Sequence, residues 1–109
     1  MEIEQEQRGG IRVVTPRGRI DSTTSTLFEQ QIMGLLQEGD VELVLNFQHI
    51  DYISSAGLRV LLMAAKRLKP RGGRVVLCAI QPHIQEVFRI SGFVSLFQFH
   101  ASLDDLPAR

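Results

Sequence analysis

The sequence predicts an α/β domain with a mixed, mostly parallel sheet of about five strands, a β-hairpin at one edge and about four helices packed mainly on one face. Three observations carry that expectation. The runs Val41 to Phe47 and Arg74 to Ile80 are apolar at nearly every position, as in strands covered on both faces. Stretches of helical period alternate with them at crossover length, which favours right-handed parallel connections. The first residues instead pattern as two short strands around a turn.

Met1 to Glu6 alternates weakly, Arg8-Gly9-Gly10 forms a plausible turn, and Ile11 to Thr15 makes the second strand before Pro16 and Gly18 interrupt it. Proline suits strand ends and edges, so a hairpin edge fits. Five hydroxyl residues in a row, Ser22 to Thr26, then offer helix caps, with Asp21 or Ser22 foremost. Leu27, Phe28, Ile32, Leu35 and Leu36 form one face of a helix over 23–37, and Gly39 stops it.

After the Val41 to Phe47 strand, Ser54 and Ser55 stand where strand hands over to helix. Leu58, Leu61, Leu62, Ala65 and Leu68 form the stripe of that second helix, and Lys66, Arg67 and Lys69 suit its negative C-terminal end. Pro70 to Gly73 ends it. Cys78 lies in the next strand, where a thiol reads as core filler. Pro82 opens a third helix with Ile84, Val87, Phe88 and Ile90 inward, and Ser91-Gly92 closes it. Phe93 to Phe99 reads as a last strand and Ala101 to Leu106 as a final helical turn. The expected order is β-β-α-β-α-β-α-β-α in one domain, residues 1–109.

Composition excludes several function classes. The 109 residues carry 12 basic and 12 acidic side chains, so no electrostatic footprint for nucleic acid appears. One cysteine cannot form an internal disulfide or by itself a metal site. His49, His83 and His100 lack ligand-type spacing. No run approaches the roughly 18 apolar residues of a membrane span, and the polar start is no signal peptide. Ser55 is not in a nucleophile elbow. The Gly72-Gly73 pair lacks the lysine and hydroxyl of a phosphate loop. A cytoplasmic, non-enzymatic domain without metal or cofactor is expected, with a monomer as the default. Tyr52 is expected to pack against the last strand.

The chemistry concentrates at Asp51 to Leu62. A helix start leaves unpaired N–H groups and a partial positive charge, so Ser54 and Ser55 read either as simple caps or as a place that welcomes a phosphate.

The segment Val44-Leu45-Asn46-Phe47, followed by Ile50-Asp51-Tyr52-Ile53-Ser54-Ser55-Ala56-Gly57-Leu58-Arg59-Val60-Leu61-Leu62, resembles the signature of STAS domains, more narrowly of bacterial anti-sigma factor antagonists. Gly18-Arg19-Ile20-Asp21, Gly72-Gly73 and Val87-Phe88-Arg89-Ile90-Ser91-Gly92 agree in order and spacing. The resemblance implies a serine at the helix start that is phosphorylated by an anti-sigma factor, itself a serine kinase of the histidine-kinase-like ATPase type. It also implies a PP2C-type phosphatase that resets the switch. The unphosphorylated antagonist binds the kinase and frees the sigma factor.

By position, the phosphorylated residue is Ser55, two before Gly57, with Ser54 as secondary acceptor. Ser54 and Ala56 replace the acid and the hydroxyl residue that commonly flank it in the family. Asp21 matches an acidic partner-contact position, its alternative being an N-cap. Ser22, Ile53, Ser54, Ala56, Gly57 and Arg59 complete the implied partner surface. Two other readings remain. One is a non-phosphorylated STAS subunit of a transport or lipid-trafficking assembly. The other is a nucleotide-binding STAS domain.

Overall fold

A computed structural model describes residues 2–8, 11–36 and 41–102 of the chain. Strands β1 (Glu2–Arg8) and β2 (Ile11–Ile20) pair antiparallel, with Ile3 opposite Pro16 and Glu6 opposite Val13. Helix α1 (Ser25–Leu35) leads toward β3 (Glu42–Asn46), and a second short strand, β4 (Ile50–Ile53), precedes α2 (Ser55–Leu68). Strand β5 (Arg74–Cys78), helix α3 (Pro82–Ser91) and strand β6 (Gln98–His100) complete the described elements. The sheet runs β1-β2-β3-β5-β6, with β4 also on β2, and every pairing except β1–β2 is parallel. The mixed, mostly parallel sheet with its hairpin edge is therefore as expected.

Strand β2 is longer than Pro16 and Gly18 suggested. It changes partner along its length, pairing with β3 through Val14 and with β4 from Gly18 onward. Pro16 falls in the gap between these two ladders, where β2 lacks a parallel neighbour and a missing N–H removes no bond on that side. Gly18, at φ 107°, takes up the register shift, and its N–H donates to the His49 carbonyl at 3.0 Å.

Strand β4 corrects the expectation that β3 feeds directly into α2. Only Ile50 and Ile53 of its residues are buried, so it carries no strand period. The turn after β3, closed by Ile50 N–H to the Phe47 carbonyl at 3.0 Å, swings the chain onto the second half of β2. Strand β5 stops at Cys78 rather than Ile80 because Ala79 turns left-handed, at φ 54°.

The predicted strand Phe93 to Phe99 divides into a 3-10 turn, Val94–Leu96, and the short β6. Its phenylalanines are drawn inward rather than alternating, and Phe97 and Phe99 meet the edge of Phe88 with ring centroids 5.5 and 5.7 Å apart. Three α-helices, not four, lie among the described residues. Of the expected final turn, Ala101 and Ser102 form a bend and the remainder falls outside the described residues, as do Gly9, Gly10 and Gly39.

The helical stripes meet one face of the sheet. Phe28 and Ile32 of α1, Leu58, Leu61, Ala64 and Leu68 of α2, and Ile84 and Phe88 of α3 join Val14, Leu43, Leu45, Val75 and Leu77 in a single buried cluster. The opposite strand parity buries Val13, Val44, Val76 and Cys78 as a second, smaller cluster, to which no described helix contributes. Cys78 is buried and forms no disulfide. Ile90, expected on the inward face of α3, is exposed instead.

Candidate functional site at the paired helix starts

Strands β2 and β4 run parallel and end level, Ile20 beside Ile53. Their chain exits therefore lie side by side at the C-terminal ends of these strands, Asp21-Ser22 on one and Ser54-Ser55 on the other. The Ser54 N–H donates to the Ile20 carbonyl at 2.7 Å and ties the two exits together.

The two serines separate cleanly. Ser54 is the N-cap of α2, with φ −88° and ψ 171°, and its hydroxyl oxygen accepts from the Gly57 N–H at 3.2 Å. Its carbonyl accepts from the Leu58 N–H at 3.0 Å. Ser55 is the first residue of the helix proper, and its side chain is exposed. It points into solvent at the end of the helix where the partial charge is positive. Ala56 is half-buried and Arg59, one turn after Ser55, is exposed.

Gly57 and Ile53 lie beneath that surface, both buried. A Cβ at Gly57 would stand 2.6 Å from Ile20 Cγ2 and 2.8 Å from Ile53 Cγ1. The missing side chain lets the first turn of α2 press onto the ends of β2 and β4.

At the neighbouring exit the structure corrects the expected cap. The N-cap of α1 is Thr24, whose side chain makes no cap bond, rather than Asp21 or Ser22. Asp21 instead organises the turn before the helix: its Oδ1 accepts from the Thr23 hydroxyl at 2.7 Å and the Thr23 and Thr24 N–H groups at 2.9 and 3.1 Å. These bonds, the Thr23 hydroxyl first, favour the charged form and hold the Asp21 carboxyl below its ordinary value of 3.8. The Thr24 hydroxyl donates to the Arg19 carbonyl at 2.7 Å, and the Asp21 N–H donates to that same hydroxyl at 2.9 Å. Ser22 is exposed.

Tyr52 is also placed differently from expectation. It stands opposite Arg19 in the β2–β4 pairing rather than against the last strand, with the Arg19 guanidinium 4.4 Å from its ring centroid. Arg19 Nε lies 3.8 Å from Asp21 Oδ2, so Tyr52, Arg19 and Asp21 form a chain across the two exits. Arg19, Thr23 and Thr24 are the residues that sequence reasoning missed. The hydroxyl run pointed to the threonines, but Arg19 becomes visible only once β4 is known. From below, α3 braces β4: Gln81 Nε2 donates to the Ile50 carbonyl at 3.1 Å and His83 Nε2 to the Asp51 carbonyl at 2.7 Å.

Comparison with known proteins agrees with this architecture. The family described as STAS domain matches residues 2–106. A Bordetella bronchiseptica protein bearing the name anti-sigma factor antagonist BtrV is 38% identical over 97 residues, covering 89% of this chain and 84% of its own. The anti-sigma factor antagonist SpoIIAA in its unphosphorylated form superposes with a TM-score of 0.80 at 19% identity, over 95% of this chain and 91% of its own. The phosphorylated form of the Bacillus cell fate determinant SpoIIAA gives 0.73 at 20% identity, over 95% of each chain. Those two structures speak for the fold, and the family match and the Bordetella relative for kinship: the chain belongs to the STAS domain family and groups with its anti-sigma factor antagonists.

Proposed function

We propose that this protein is a phosphorylation-switched antagonist, with Ser55 as the acceptor. In the unphosphorylated state it binds an anti-sigma factor that is also a serine kinase of the histidine-kinase-like ATPase type, and so releases a sigma factor or an equivalent regulator. The observation that carries this reading is the division of labour between the serines. Ser54 is engaged by the helix cap, whereas the Ser55 hydroxyl is exposed beside it. A kinase can approach Ser55 without unfolding the helix start, and the second serine keeps the cap intact throughout.

The surroundings suit both states. The family relationship supports an anti-sigma factor as partner, and SpoIIAA is known in a phosphorylated form. The partner surface we assign is Ser22 and the Asp21 turn on one exit, with Ser54, Ser55, Ala56 and Arg59 on the other, over a base formed by Ile53 and Gly57. Phosphate adds about −1.5 to −2 charges at neutral pH. On Ser55 it would sit at the positive end of α2 with Arg59 one turn away, so the modified protein keeps its fold. The new charge instead falls on the contact surface, beside the strand exit that carries Asp21, and repels an acidic partner patch. A PP2C-type phosphatase would reset the switch.

The test is intact mass after incubation with ATP and candidate kinases of the same genome, for wild type, Ser54→Ala and Ser55→Ala. A phosphate-sized gain in wild type and Ser54→Ala that is absent from Ser55→Ala supports the assignment. Its loss only in Ser54→Ala overturns the residue, and no gain with any kinase overturns the switch.

A further inference from the structure

The far end of α2 carries a second feature, unrelated to the serines. Between the last turns of α2, the start of β5 and the 3-10 turn Val94–Leu96 runs a groove of about 340 Å³. Its wall is aliphatic, from Leu62, Ala65 and Leu96, and its rim is cationic, from Lys66, Lys69 and Arg74. Leu96, on that wall, is 53% exposed, so a large aliphatic side chain stands in water at the groove. Among the described residues Arg74 of the rim has a carboxylate on it, Glu42 Oε1 at 2.6 Å.

A chain with zero net charge has thus gathered cations around an apolar slot. Lys66 and Lys69 are exposed, as is Leu96. Exposed aliphatics rimmed by like charges mark an interaction site, and the sign of the rim selects an acidic partner.

We propose that this groove docks an acidic segment of a partner protein, seating an aliphatic or aromatic side chain against Leu62, Ala65 and Leu96 while its carboxylates face Lys66, Lys69 and Arg74. The concave shape favours an inserted side chain over a flat bilayer surface. The wall has no aromatic ring among the described residues, which disfavours stacking nucleic-acid bases. The groove lies about 11 residues beyond Ser55, roughly 16 Å along the helix. It can therefore be occupied while the phosphorylation surface is engaged, and it would hold a partner through both states of the switch.

The experiment uses the full chain and a fluorescein-labelled helix-forming peptide, leucine and phenylalanine on one face and glutamate on the other, followed by anisotropy. Saturable binding is expected, weakened about tenfold or more by Lys66→Glu with Lys69→Glu and by Leu96→Asp. Ser55→Asp should bind within about twofold of wild type, since that residue lies beyond the Debye length of about 8–10 Å. No saturable binding, equal binding of the same peptide with lysine for glutamate, or indifference to both groove variants overturns the proposal. So does tighter binding to phosphatidylglycerol vesicles, or self-association abolished by the lysine reversals, each of which names a different occupant.

Discussion

Gly57 and Ile20 are in contact so close that no side chain fits between them: a Cβ at residue 57 would lie 2.6 Å from the Ile20 methyl. Ile20 ends β2, and its carbonyl holds the Ser54 N–H. One residue thus fixes the depth of α2 against the sheet and the position of the serine pair.

Gly57→Ala should therefore do more than raise helix propensity. The methyl must displace two buried isoleucines, Ile20 and Ile53, at a cost of about 1–3 kcal/mol for overpacking. Urea unfolding measures the loss. A more stable variant would show that the helix slides outward freely and that the contact does not set its depth.

The two serines should part in stability as they do in geometry. Ser54→Ala removes the cap to the Gly57 N–H and should cost about 1 kcal/mol. Ser55→Ala touches no described hydrogen bond and should stay within about 0.5 kcal/mol of wild type. Paired chemical denaturation of the two variants checks this, and reversal of their order would contradict the capping assignment.

Phosphorylation of Ser55 should leave the melting temperature unchanged or slightly higher. Negative charge at an exposed helix start stabilises by about 0.3–1 kcal/mol. Differential scanning calorimetry of the modified and unmodified protein decides it, and a large drop would mean that the phosphate disrupts the helix start. Ser55→Asp, with one charge and a shorter reach, should weaken kinase binding only in part.

Asp21 predicts a pH dependence of definite sign. Its carboxyl is held below 3.8 in the folded chain, chiefly by the Thr23 hydroxyl and the Thr23 N–H. Lowered folded pKa means that its contribution is present above the unfolded value and is lost as pH falls through the folded one. Stability of wild type relative to Asp21→Asn should accordingly be constant near neutrality and decline in the acid range below about pH 4. A difference that grows on acidification would reverse the assignment.

Much of this protein was legible in its residues because the signals are local. Apolar runs without alternation require burial on both faces, which marked β3 and β5 before any partner was known. The stripes of α1, α2 and α3 follow from a period of 3.6, and a hydroxyl before such a stripe marks a helix start. Ser54-Ser55-Ala56-Gly57 was therefore identifiable as the chemical centre.

What remained hidden depends on contacts between distant parts of the chain. Strand β4 has too few buried positions to show a period, and it exists because the second half of β2 needed a partner. Arg19 and Tyr52 meet only through that pairing. Phe97 and Phe99 left the strand pattern because Phe88 offered a buried edge. The sequence by itself determined where helices and buried strands begin and that two serines stand at one such start. Only the tertiary structure decided which serine is spent on the cap and which is exposed, because that depends on the Ile20 carbonyl reaching Ser54, a hydrogen bond between residues far apart in the chain.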